Sequence, residues 1–324
     1  MTAFTSRLVY HPAGFDVELQ GAVDDLVRGR WMSTERLLSG TARASGLWTS
    51  RTQVLAVAAA RSTVLSDWAR EHPAAPGLGL LQTRVMVEHA LLAAKDRRPE
   101  AGQLEQAARE ACWAAAEEDP SDPVPWVCLL ALASLDLDQA RPEHRVFSGD
   151  PLLPPGPWGL LDQALRRDSG SREAHHRMFR YWQQRNRAAA VDFVHTAAAR
   201  APIGSPLAAL HLYVSVDQYR FTHYRDALAR RQWLREPHAS HTRRAYESWL
   251  AAEPGSWPVA DLSYLAHALW AGVRMGAATD VFTALGQFAS KTPWAHVADS
   301  PAKGEALLLT ARQQAFAGRA TALA

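Results

Sequence analysis

Cysteine is almost missing from this chain: Cys112 and Cys128 are the only two in 324 residues. Both lie in Ala- and Leu-rich surroundings, which excludes a disulfide-built scaffold and suits a reducing compartment. Lysine is nearly as scarce. Lys95, Lys291 and Lys303 are its only occurrences, so the remaining basic residues are arginines. We read that bias first as codon usage in a GC-rich genome and only second as anion recognition. The net charge is only +2 at pH 7, which excludes a general attraction of the whole chain to nucleic acid or to membranes; local clustering is needed for either. No apolar run reaches the roughly 18 residues of a membrane span; residues 129–135 stop at Asp136. The opening residues, Met1 to Arg7, lack the apolar core of a secretion signal. The cytoplasm is the expected compartment, with no membrane partner.

Motifs of known chemistry are also lacking. There is no Gly-x-Ser-x-Gly elbow, no Gly-rich phosphate loop and no His-Glu-x-x-His. The pair Asp24-Asp25 lacks the third carboxylate of a magnesium site of the isoprenoid type. Cys112 falls at a core position of a helical pattern and reads as a buried, inert thiol. Three sites have metal-ligand spacing on a helix: Glu173 with His176, Asp192 with His195, and His238 with His241. A carboxylate-bridged dimetal bundle needs two Glu-x-x-His helices and two further glutamates, and one such helix is present. Locally paired or solvated side chains explain these residues better than an ion. No catalytic residue, no metal and no cofactor is assigned, and the chain is not read first as an enzyme.

What the sequence does contain is helical periodicity. Apolar residues make up 48% of it, and they recur at spacings of three and four rather than alternating. Leu80, Leu81, Val85, Val87, Ala90, Leu91 and Leu92 mark one helix; Val124, Val127, Leu130, Ala131 and Leu135 mark another. Helices are broken at His72-Pro73, Asp119-Pro120, Asp168-Ser169, Ala201-Pro202 and Glu253-Pro254, where proline or a capping residue stops the pattern. These breaks lie 33 to 52 residues apart, room for two helices and two turns. Units of that size bury their apolar faces only by stacking.

Ala108, Cys112, Ala115 and Pro120 stand at the spacings of a tetratricopeptide second helix, with Trp126 and Leu129 where the next unit opens. Ala164 and Asp168 repeat the exit, Met178 and Trp182 take the next large-residue places, and Ala189, Phe193, Ala197 and Pro202 repeat the second helix with a one-residue slip. Over about residues 104–202 the chain therefore resembles a tetratricopeptide-repeat protein; earlier, Gly29-Arg30-Trp31 followed by Leu37-Leu38 is similar to that family's inter-helix turn. Leu130 and Ala133 replace the family's Gly and Tyr. The packing logic is that small Ala lets helices approach, a large residue fills the adjoining gap and Pro ends the helix. The resemblance implies an all-α fold, a right-handed stack of antiparallel helix pairs forming an α-solenoid. Residues 1–324 are read as one helical-repeat domain, with a Pro-rich insertion at 139–157.

One segment stands above this background. Residues 172–244 hold thirteen arginines against five acidic residues, interleaved with nine aromatics. Arginines clothing solvent faces and aromatics filling a core would account for that. A groove would as well. On the helix expected at 171–184, Glu173, His176, Arg180 and Gln183 or Gln184 fall along one stripe, with Tyr213 and Asp217 on a neighbouring helix and Tyr224 beyond. These residues form the candidate binding surface, around 172–225. The expected function is a protein- or peptide-binding adaptor or scaffold whose partner, an acidic one for preference, meets that concave face. The alternative is an enzyme or enzyme accessory on a helical shell, with His176, Glu173 and Tyr213 in its pocket. A nucleic-acid-binding regulator ranks last, since no DNA-reading motif accompanies the arginines.

Overall fold

A computed structural model describes residues 7–151, 153–221 and 231–322. Among the described residues there are sixteen α-helices and no strand; two isolated bridges, Val9 with Phe288 and Val146 with Gly156, are the whole of its β-pairing. No described helix is long and apolar enough to cross a membrane. The chain divides into two compact units, residues 16–193 and residues 1–15 with 194–324.

The first unit holds α1 (Val17–Val27), α2 (Met32–Ser39), α3 (Gly46–Ala59), α4 (Val64–Glu71), α5 (Leu78–Lys95), α6 (Ala101–Glu118), α7 (Val124–Leu132), α8 (Trp158–Arg167) and α9 (Arg172–Arg185). The expected breaks are where helices stop: α4 ends at Glu71, α6 at Glu118 and α8 at Arg167. Each odd-numbered helix packs on the next odd one, α1 on α3, α3 on α5, α5 on α7 and α7 on α9. The even-numbered helices lie against their odd neighbours, most extensively α6 on α5. That pair meets through small side chains, Ala90, Ala93, Ala108, Cys112 and Ala116, all buried, which permits close approach. Helix α3 also touches α9, so the row of odd helices turns back on itself.

Buried polar groups tie the row together. Asp122 accepts the Val124 N–H at 2.8 Å, starting α7, and the Trp48 Nε1–H of α3 at 3.0 Å. The Pro-rich segment is fastened in a similar way. His144, fully buried, sits 2.7 Å from the Asp136 carboxylate, which also accepts the N–H groups of Ala140 and Arg141. Gly156 lies so close under Trp182 that a Cβ there would stand 2.5 Å from the indole ring.

The second unit contains α11 (Leu210–Phe221), α12 (His238–Leu250), α13 (Val259–Ala271), α14 (Met275–Leu285), α15 (Trp294–Val297) and α16 (Gly304–Ala322). Helix α10 (Arg187–Arg200) spans the division, and its residues from Val194 onward belong here. It ends at the expected Ala201-Pro202 break. Its core centres on α13, packed by α14, α16, α12 and α11. At that centre His267 lies among the rings of Trp233, Trp270 and Trp294, with centroids 5.0, 6.1 and 5.3 Å away.

Candidate functional site

Helix α9 begins at Ser171, whose hydroxyl caps it by accepting the Ala174 N–H. Ala174, Met178 and Trp182 are buried, as their spacing requires of a core stripe. On the other side the expected stripe divides. Arg180 and Gln184 are exposed and His176 is half-buried. Glu173 turns inward, 6% exposed. Its carboxylate takes two hydrogen bonds from Arg84 of α5, at 3.2 and 2.9 Å, and two from Arg177, at 3.2 and 3.0 Å. Burial works to raise the Glu173 carboxyl, but the two guanidiniums outweigh it and hold it below the usual carboxylate value. Burial, then the positive charges of Arg172 and Arg180, push the His176 imidazole well below its ordinary value.

Tyr213 and Asp217 lie on α11, in the other compact unit. The Tyr213 hydroxyl donates to the buried Asp261 carboxylate at 2.6 Å, and its ring stacks on Tyr264 at 3.7 Å. Asp217 is half-buried. Tyr224 lies outside the described residues. The structure thus groups Glu173, His176, Arg180 and Gln184 on one helix and Tyr213 with Asp217 on another.

Several arginines of the basic segment have structural work. Arg185 reaches the carbonyls of Ala133, Ser134 and Asp136 at 3.1, 3.4 and 2.6 Å, and lies 3.9 Å over the Tyr181 ring. Arg244 caps the end of α10 at the Ala198 and Ala199 carbonyls, 2.9 and 3.2 Å away. Orphan carbonyls at helix ends are natural partners for such cations. An open groove of about 460 Å³ lies between the Pro-rich segment and residues 186–192, lined by Phe147, Asp150, Pro151, Asn186 and Asp192 among others. Its two carboxylates suit an acidic partner poorly.

One cluster was not legible in the sequence. His195 on α10, His211 on α11 and His241 on α12 each bring a ring nitrogen within 4.8 Å of the other two. His241 stacks on His211 with centroids 3.7 Å apart, and His195 meets the same ring at 5.8 Å edge-on. His211 is buried, His241 half-buried and His195 exposed. Among the described residues no protein group hydrogen-bonds a ring nitrogen of any of the three. Burial, and then the neighbouring His241, His195 and Arg244, hold His211 down to about 3. His241 is lowered too, again chiefly by burial. His238, which shares metal-ligand spacing with His241, lies 2.8 Å from the Ser215 hydroxyl.

No family model, no curated protein and no solved structure matches this chain.

Proposed function

We propose that the chain is a tetratricopeptide-like helical-repeat module that binds a protein or peptide partner. The observation that supports this most is the continuous row of α1, α3, α5, α7 and α9, packed each on the next. Stacked helices of this sort offer a preformed surface, so a partner is bound with little reorganisation. The contact residues are Arg180 and Gln184, with His176 at their edge, and an acidic segment of the partner suits Arg180. Glu173 supports that face from inside, through Arg84 and Arg177. Tyr213 and Asp217 on α11, with Tyr224, are the other proposed contact residues.

The enzyme reading has less support. It needs Glu173 and Tyr213 as proton-transfer partners of His176, yet Glu173 is shared by two guanidiniums and Tyr213 donates to Asp261.

A photo-reactive residue placed at Gln184 tests the proposal in the native cell. One at Arg231, also exposed, serves as the control. A discrete adduct with a second protein at position 184 and none at 231 supports it. No adduct, or the same adducts at both positions, overturns it.

A further inference from the structure

We propose that His195, His211 and His241 form a binding site for one late first-row divalent metal ion, with zinc as the best fit. The inference stands apart from partner binding and rests on different residues. Three helices contribute one imidazole each, from positions 16 and 30 residues apart in the chain, so the cluster is a product of folding rather than of local spacing.

The donor set decides the class of ion. Three neutral imidazoles and no carboxylate suit zinc, cobalt, nickel or copper; magnesium and calcium demand oxygen ligands. Three nitrogens on one tetrahedral zinc, each about 2.0–2.1 Å away, stand roughly 3.4 Å from one another. The rings here are within 4.8 Å, so the widest pair closes by about 1.4 Å at most. That closure comes from the outer rings. His195 is exposed and His241 half-buried, whereas His211 is fixed in the core. His241 has to turn out of its stack on His211, because an ion lies in the plane of each ring that binds it. The buried His211 ring gains a hydrogen-bonding partner that no described residue gives it, which favours the move.

Three ligands leave a fourth position open, on the side of the exposed His195. With neutral ligands the ion keeps its full charge, and Arg244, whose positive charge already acts on His211 and His241, favours water or an anion there over a second cation. The arrangement has the three-ligand, open-position form of a reactive zinc site rather than the closed form of a structural one.

The test uses the full chain, stripped with a chelator and titrated with zinc alone against a chromogenic competitor. The expected result is one zinc per chain, and a cobalt-substituted sample with the intense visible bands of tetrahedral coordination. His195→Ala and His241→Ala each weaken binding at least tenfold, and their unchanged helical circular dichroism shows that they fold. His89→Ala, an exposed histidine in the other unit bonded to the Ala60 carbonyl, leaves affinity unchanged. His211→Ala is informative only beside these, since its ring is buried. Failure to bind one zinc per chain, or equal affinity in wild type, His195→Ala and His241→Ala, overturns the assignment.

Discussion

Arg84 and Glu173, 89 residues apart in the chain, form an ion pair at 2.9 Å with side chains only 3% and 6% exposed. The same guanidinium donates to the Thr49 carbonyl at 3.1 Å, so one arginine on α5 ties α3 to α9. Two charges taken out of water are costly, and such a pair is stabilising only while both members are present. Glu173→Ala is therefore expected to cost about 3–5 kcal/mol, because it strands the Arg84 charge. Replacing both residues, Arg84→Met with Glu173→Leu, is expected to cost much less. Urea unfolding of the two variants checks this; equal losses would mean that the partners do not depend on one another.

Phe193 stands between Trp158 and His175, with ring centroids 6.0 and 6.2 Å away, and is 4% exposed. Phe193→Ala is expected to lower stability by roughly 3–5 kcal/mol, the usual result of emptying an aromatic core site. A urea melt showing a loss under about 1 kcal/mol would place Phe193 outside the core.

His267 gives the fold an acid sensitivity. Burial among three indoles holds its imidazole down to about 3, against an ordinary 6.5. Between those values the unfolded chain binds the proton and the folded one does not, so stability rises with pH across that window. The full contribution is present above about 6.5 and is lost as pH falls toward 3, amounting to roughly 4–5 kcal/mol over the whole window. His211 adds to the slope in the same direction. His267→Leu is expected to flatten the dependence, measured as melting temperature from pH 7 down to pH 4, without abolishing it. An unchanged slope would place the titration elsewhere.

The helices and their ends were legible because they depend on neighbours in sequence. Proline and capping residues ended α4, α6, α8 and α10 where expected, and Ala174, Met178 and Trp182 were buried as their spacing required. Of the residues expected in the repeat core, Cys112 and Phe193 are buried. Trp126 is only half-buried; its ring meets Trp113, itself exposed, edge-on, and the Arg167 guanidinium lies over it at 4.8 Å. The direction of Glu173 was not legible. What turns it inward is Arg84, which in sequence is one charge beside a long apolar run. His211 was missed for a like reason: its companions lie on other helices, and an isolated histidine at an apolar helix start reads as core. Local spacing paired His241 with His238, which the fold separates by giving His238 to Ser215.

The central claim, that the outward stripe of α9 binds a partner, is tested most directly by the affinity of the captured partner for two arginine variants. Arg180→Ala is predicted to weaken binding by about 1–3 kcal/mol, as for a lost charge-assisted hydrogen bond, with stability nearly unchanged. Arg231→Ala, which removes an exposed charge from the other unit, is predicted to leave affinity as it was. Titration calorimetry with both variants decides the matter. Equal losses would mean that diffuse positive charge holds the partner, and would contradict a binding face on α9.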